Sequence, residues 1–281
     1  MNQTSTDSLL ITAIRTAIDA GIAILEIYNS HYETTFKSDQ SPLTTADLHA
    51  HEVIFDRLKE TGIPVLSEEG AEIPFETRKN WKTYWLVDPL DGTREFVKRN
   101  GEFTVNIALM VDDQPVAGVI YIPVKDILYF GSRELGSFRM GSGISKPALT
   151  ADTFREFTSR CERLPLKESS GPLVLLASRS HLTAETREII GKAEKQSHES
   201  LVVSVGSSIK FCKLAEGTAD FYPRLGPTME WDTAAGQAIA EATGMEVRVW
   251  PELAPMTYNK PSLLNPSFIA YNPDRIDTSV F

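Results

Sequence analysis

The stretch that most constrains this chain is Trp85-Leu86-Val87 running into Asp88-Pro89-Leu90-Asp91-Gly92-Thr93. The apolar run reads as a short buried strand. Proline fixes its own φ and Gly92 tolerates positive φ, so the strand should stop there and turn sharply. Asp88 and Asp91 would then converge at its carboxyl end, with a backbone carbonyl, that of Leu90, able to join them. Hard divalent cations take such oxygen ligands, and Mg²⁺ is usually held by a few carboxylates and phosphate oxygens. Asp, Pro and Gly are also ordinary turn formers, so a solvated turn is the competing reading.

The other segments are organised around that turn. Leu10, Ile14, Ala17, Ile18, Ile22, Leu25 and Tyr28 recur at helical spacing, capped by Thr6 or Asp7. His31 to Gln40 reads as a loop. Ser41 to Thr45 leads into a second helix with Leu48, Ile54, Phe55 and Leu58 on its apolar face, Asp47 in its first turn and Gly62 at its end. Ile63 to Leu66 is a strand entering Ser67-Glu68-Glu69-Gly70, a second pair of carboxylates at a strand end, and 71–82 is a polar excursion. Phe103–Val111 and Val116–Ile122 pair as a hairpin, followed by strands at Ile127–Phe130 and Ser137–Met140.

Residues 141–171 are rich in Gly, Ser, Pro and charge and mark the internal boundary, dividing 1–170 from 171–281. Beyond it, strands at Leu173–Ala177, Leu201–Val205, Ala219–Tyr222 and Met245–Val249 alternate with helices at Thr183–Lys195, Ser207–Glu216 and Asp232–Thr243. The chain is thus expected to be α/β: an α+β N-terminal half with a mostly antiparallel sheet, then an α/β C-terminal half.

Composition limits what such a fold does. With 281 residues, 42% hydrophobic and 23% charged, the chain can bury a large core. A net charge of −10 argues against binding to nucleic-acid polymers. Cys161 and Cys212 have no metal-ligand spacing and fit a reducing compartment. The polar start lacks the pattern of a signal peptide, and no apolar run reaches transmembrane length. These features read as a soluble cytoplasmic protein.

Further polar clusters sit where strands meet helices. Val205-Gly206-Ser207-Ser208-Ile209-Lys210 exposes helix amides beside a lysine, which suits an anion as well as it suits a serine cap. Ser178-Arg179-Ser180-His181 follows an apolar strand directly. Arg224, before Gly226-Pro227, is placed to clamp a phosphate bidentately or to lie at the surface. Asp232 reads as a helix N-cap, and Ala234, Ala235 and Gly236 allow that helix end to pack closely.

Taken together, Glu68-Glu69, Asp88-Pro89-Leu90-Asp91-Gly92-Thr93 and Trp231-Asp232-Thr233-Ala234-Ala235-Gly236 resemble the signature of the inositol monophosphatase superfamily, Mg²⁺-dependent and lithium-sensitive phosphatases. The segments Glu95 to Asn106, Ser178 to His181 and Tyr222 to Thr228 are similar to its CysQ-type 3′(2′),5′-bisphosphate nucleotidase branch. The resemblance implies a layered α-β-α-β-α sandwich of the inositol monophosphatase/fructose bisphosphatase type. It implies Glu68, Asp88, Asp91, Asp232 and the Leu90 carbonyl as ligands of two or three Mg²⁺ ions, with Asp47 and Thr93 orienting and activating the attacking water. It assigns substrate contacts to Gly92, Thr93, Ser178, His181, Gly206, Ser207, Lys210 and Arg224.

The substrate so implied is adenosine 3′,5′-bisphosphate, a small nucleotide left by sulfate assimilation, hydrolysed to AMP and phosphate; the sulfated relative is a further candidate. Relatives are cytoplasmic, some loosely associated with the membrane. Two residues depart from the wider pattern: Arg94 stands where close relatives tend to have lysine, and Ser67 replaces a glycine common in the inositol phosphatases. An inositol monophosphatase is the alternative, disfavoured by Lys210, and fructose 1,6-bisphosphate is a more distant substrate. A non-catalytic metal-binding module is the reading from another class, although the EF-hand spacing is absent.

Overall fold

The computed structural model describes residues 5–30, 34–36, 42–141, 153–168, 170–180 and 182–281. Helix α1 (Thr6–Tyr28) starts one residue after Ser5, whose hydroxyl accepts from the Ser8 amide, so the cap lies just ahead of the expected Thr6 or Asp7. Strand β1 (Thr34–Phe36) occupies part of the expected loop and pairs antiparallel with β2 (Pro42–Thr44). Helix α2 (Thr45–Leu58) comes directly after, and Gly62, at φ 70°, closes the short turn beyond it. Its apolar face is narrower than its sequence reads: Ile54 and Leu58 are buried, whereas Leu48 and Phe55 are exposed.

Strands β3 (Val65–Ser67), β4 (Thr83–Asp91), β5 (Thr104–Val111), β6 (Gln114–Ile122), β7 (Ile127–Ser132), β8 (Gly136–Met140) and β9 (Glu162–Arg163) form one seven-stranded sheet in that order. Short helices α3 (Phe75–Arg78), α4 (Thr93–Val97) and α5 (Phe154–Thr158) lie in its connections. Strand β3 is parallel to β4, and the remaining neighbours are antiparallel.

The second sheet has the order β11-β10-β12-β14-β13. It is built from β10 (Leu173–Ser178), β11 (Ser200–Val205), β12 (Phe221–Arg224), β13 (Glu246–Val249) and β14 (Phe268–Tyr271). Its helices are α6 (Ala184–Glu194), α7 (Ile209–Ala215) and α8 (Glu230–Glu241).

Alternation along the strands sorts the side chains into layers. Val87, Ile107, Leu109 and Val119 share a core with Leu10, Ile14 and Ile18 of α1 and Ile54 of α2. Their neighbours Leu86, Ala108 and Ile120 turn to the opposite face and meet Phe211 of α7, Ala234 and Ile239 of α8, and Phe268. Across the second sheet, Leu175, Phe221 and Ile269 pack on Ile189 and Ile190 of α6. The result is helices, sheet, helices, sheet, helix, the layering implied by the family resemblance. Among the described helices only α1 is long and apolar enough to cross a membrane by length and composition, which no single apolar run in the sequence indicates. Most of that window is buried inside the fold, as a core helix requires.

The two central layers meet at Gly118. A Cβ there would lie 2.3 Å from the Ala235 carbonyl oxygen and 2.9 Å from its Cα, backbone atoms of α8. Helix α8 approaches this closely because its first turns carry Ala234, Ala235 and Gly236. Since backbone cannot swing aside as a side chain does, Gly118→Ala should destabilise the protein by about 1–3 kcal/mol. Chemical denaturation would register this as a lower midpoint with an unchanged slope.

Candidate active site

Strand β4 does not stop at Pro89. It runs on to Asp91, and a bulge accommodates the extra residue: Asp88 faces Asn106 and Asp91 faces Thr104. The sharp turn comes one step later, at Gly92, where φ is 94°. The proline is tolerated because the bulge interrupts the ladder where its missing N–H would have been needed.

Parallel pairing explains how Glu68 and Asp88 meet. Ser67 is in register with Val87, so the next residue of each strand leaves the sheet at the same end, and the Glu68 amide donates to the Val87 carbonyl at 3.1 Å. Asp232 arrives from the opposite side. It is not the N-cap of α8 but lies one turn inside, in the third helical position, where Oδ2 accepts from the Met229 amide at 2.8 Å. The missing signal was Glu230, which already belongs to the helix. Carboxylate oxygens of Glu68, Asp88 and Asp232 lie within 4.8 Å of one another.

Asp91 stands on the same rim. Its Oδ2 accepts from the Ser208 amide at 2.5 Å and from Asn106 Nδ2 at 3.5 Å. Asp88 Oδ1 accepts from the Leu90 amide at 3.0 Å, which fixes the turn holding the Leu90 carbonyl. Asp47 occupies the third position of α2, and its Oδ2 accepts from both the amide and the hydroxyl of Thr44. The other oxygen, Oδ1, accepts from the Thr93 hydroxyl at 3.1 Å, across from α4. Two helix N-termini thus aim carboxylates toward the end of one strand pair.

Crowding sets the electrostatics. Burial, and then the charges of Glu68, Asp91 and Asp232, push Asp88 well above the ordinary carboxylate range. Asp232 is raised in the same way, by burial and then by Asp91 and Glu68. Burial also raises Asp91, against the opposing effects of Lys210, the Ser208 amide and Asn106. Asp47 is raised by burial despite its hydrogen bonds. A cluster of hard oxygen donors whose charges oppose one another fits a divalent cation, which relieves the repulsion it would bridge.

A pocket of about 550 Å³ opens from this cluster, with Asp91, Gly92, Thr93 and Asp232 at one end and Ser178, Gly206, Ser207, Lys210 and Arg224 along its wall. Lys210 is buried over the Tyr222 ring and donates to the carbonyls of Ser207 at 2.6 Å and Val205 at 3.2 Å. Burial pulls its pKa down to about 8, against the attraction of Asp91. Arg224 spends Nη1 on the Ser178 hydroxyl at 2.6 Å and Nη2 on the Pro227 carbonyl at 2.9 Å. The bidentate clamp expected of it is therefore committed to the protein, and Ser178 positions the guanidinium. The Arg224 Nε and the Ser207 hydroxyl are buried without a hydrogen-bond partner among the described residues, so both have capacity left for a ligand.

His181, expected as a substrate contact, lies outside the described residues. Arg94 is an exposed pocket residue, and the Ser67 hydroxyl lies 2.9 Å from His51 Nδ1. Sequence reasoning assigned no role to Ser208, Asn106 or Thr104. The Ser208 hydroxyl lies 2.7 Å from both Asn106 Oδ1 and Thr104 Oγ1, tying the loop of the second sheet to β5 beside Asp91. The adjacent Ser207-Ser208 pair was the available signal, but its partners lie more than 100 positions away.

Lys210 gives the site a definite pH dependence. In the free protein it is cationic below about 8 and loses its charge above that value. For an anionic substrate, kcat/KM should therefore fall as pH rises through the Lys210 pKa, which burial sets below the ordinary lysine range. The Lys210→Met variant should start lower and lack that decline.

Comparison with known proteins identifies the family and the fold. The model of the inositol monophosphatase family matches residues 5–278. The 3′(2′),5′-bisphosphate nucleotidase CysQ of Escherichia coli K12 is 43% identical over 257 residues, 90% of this chain and 95% of the relative. The enzyme of that name from Haemophilus influenzae is 31% identical, over 98% of this chain and 96% of its own length. Among solved structures, CysQ from Bacteroides thetaiotaomicron superposes with a TM-score of 0.88 at 49% identity, covering 95% of this chain and 98% of its own. The chain belongs to the inositol monophosphatase family.

Proposed function

We propose that this chain is a Mg²⁺-dependent 3′(2′),5′-bisphosphate nucleotidase that hydrolyses the 3′-phosphate of adenosine 3′,5′-bisphosphate to AMP and phosphate, with the 5′-phosphosulfate analogue as a further candidate substrate. The observation that carries this reading is one pocket with a carboxylate cluster at one end and a buried lysine and arginine along its wall. A phosphate ester with a second anionic group suits that polarity, and the similarity to the CysQ nucleotidases supports it. On this reading the substrate is a soluble nucleotide of the cytoplasm. The site lies at the junction of an N-terminal subdomain, 1–170, carrying most metal ligands and a C-terminal subdomain, 171–281, carrying Asp232 and the substrate contacts.

Glu68, Asp88, Asp91, Asp232 and the Leu90 carbonyl would hold two Mg²⁺ ions, with Asp47 near a third. Such ions supply Lewis-acid polarisation of the phosphoryl group and acidify water at neutral pH. The protein's own residues hold the reacting proton. Because the Thr93 hydroxyl donates to Asp47 Oδ1, its lone pairs point away from Asp47 and accept from the water in line with the 3′-oxygen. Asp47 is the final acceptor, and burial raises its basicity for that role. Lys210, Ser207 and Arg224 hold the rest of the substrate.

Incubation of the purified protein with adenosine 3′,5′-bisphosphate and Mg²⁺ should yield AMP and one equivalent of phosphate by chromatography, and a chelator should stop the release. Formation of adenosine 3′-monophosphate, or chelator-resistant release, would contradict this reading.

A further inference from the structure

Glu102 lies between α4 and β5, on the seven-stranded side of the pocket, yet its carboxylate bonds across to the other sheet. Its Oε2 accepts from Arg179 Nε at 2.7 Å and its Oε1 from Arg179 Nη2 at 2.8 Å. Oε2 also accepts from the Gly206 amide at 2.7 Å. The same guanidinium reaches the Ser204 carbonyl at 2.7 Å. Arg179 comes just after β10 and Gly206 just after β11, and these two strands are parallel neighbours. One carboxylate therefore gathers the carboxyl ends of both strands.

The loop beyond Gly206 needs holding. Ser207 adopts φ 46°, the left-handed region that non-glycine residues avoid. Its hydroxyl is buried on the pocket wall without a partner among the described residues, and its carbonyl receives Lys210. The next amide, Ser208 N, is the one bonded to Asp91. Gly206 has no room for a side chain, since a Cβ would lie 2.9 Å from Glu95 Cγ and 3.1 Å from both the Cβ and the carbonyl oxygen of Glu102. The loop is thus fixed in a strained shape with Glu102 pressed against it. Arg179 and Glu102 form a bidentate, charge-assisted pair, the geometry that gives such bonds strength and direction.

We propose that Glu102 is a positioning residue: through Arg179 and the Gly206 amide it sets the Gly206–Ser208 loop so that Ser207 and Lys210 face the substrate. The inference rests on the nucleotidase reading for the identity of that substrate. Glu102→Ala removes all three bonds and should raise KM for adenosine 3′,5′-bisphosphate and the inhibition constant of AMP about 10-fold, with kcat within about threefold. Arg179→Met keeps the acceptor for Gly206 and should raise KM only about threefold, and Glu102→Gln should fall between the two. These two variants decide the matter if Glu102→Ala does not fold.

A purely structural role would lower the melting temperature and the active fraction, and hence apparent kcat, with KM and AMP inhibition unmoved. Thermal protection by inorganic phosphate, which needs no turnover, should also weaken from the wild type to each variant. Failure of the wild type to hydrolyse the bisphosphate would overturn the nucleotidase reading alone. Unchanged KM, AMP inhibition and phosphate protection in folded Glu102 variants would overturn the role of Glu102.

Discussion

Asp88→Asn is expected to remove metal-supported phosphate release while making the metal-free protein harder to unfold. Asp88 is 2% exposed and shares its end of the strand pair with Glu68 and Asp232. Burial and those neighbouring charges raise its folded pKa well above 3.8. The folded state therefore binds the proton more tightly than the unfolded chain, so stability of the metal-free protein falls as pH rises from about 3.8 through the raised value. At neutral pH much of that penalty is present, and a neutral amide lifts it. Asparagine keeps Oδ1 as acceptor for the Leu90 amide, so the turn survives. The cost falls on the cation. Outer partners of metal ligands typically cost 10–100-fold when removed, and a direct ligand should exceed that, at roughly 10³-fold in activity. Thermal unfolding in chelator and then across a Mg²⁺ titration checks both halves: the variant should melt higher than wild type in chelator and gain less from Mg²⁺. Full activity with unchanged Mg²⁺ dependence would remove Asp88 from the ligand set.

Asp47→Asn should lower kcat by roughly 10²–10⁴-fold, the range of general acid–base assistance, and leave stability close to wild type. The reason lies in hydrogen-bond polarity. The Asp47 carboxylate accepts two bonds from Thr44 and one from Thr93 and donates none of them. With the oxygen of asparagine toward Thr44, the helix cap is retained, and the amide nitrogen faces the Thr93 hydroxyl and donates to it. The hydroxyl must then turn its proton elsewhere, toward the Leu90 carbonyl 3.4 Å away, and neither residue accepts a proton from water. Steady-state kinetics across a range of substrate concentrations would show the loss in kcat with KM nearly unchanged. Thr93→Val should reproduce it, and the double variant should be little worse than either single one, because the two act as a unit. Phosphate monoester hydrolysis requires enhancements up to ~10²¹-fold, so this pair supplies a modest share and electrostatics the larger one.

The sequence made the ingredients of the site readable where chemistry is local. Asp88 and Asp91 stand out because carboxylates flank a proline at the end of an apolar run, and Glu68 because it ends another. Their convergence is a matter of register, set by the parallel pairing of Ser67 with Val87, which no local pattern encodes. The continuation of β4 past Pro89 depends on a bulge opposite Asn106 and Thr104, so a rule that strands end at proline misplaced its terminus. Asp232 read as a cap because Asp is a common N-cap; the helix begins earlier, where Met229 caps without a side-chain acceptor. Strand β14 went unread because the stretch before it is rich in Pro and Asn and one of its pairing partners, Phe221–Arg224, lies far back in the chain. The contacts of Glu102 and Ser208 were invisible for the same reason, since their partners come from the other sheet.

The most direct test of the central claim is to compare kcat/KM for adenosine 3′,5′-bisphosphate and inositol 1-phosphate, each with Mg²⁺, with chelator and with added Li⁺. A Mg²⁺-dependent, Li⁺-inhibited preference for the nucleotide, reduced in Lys210→Met, is the expected result. Preference for inositol 1-phosphate, undiminished by loss of Lys210, would contradict the assignment of the pocket wall to a nucleotide.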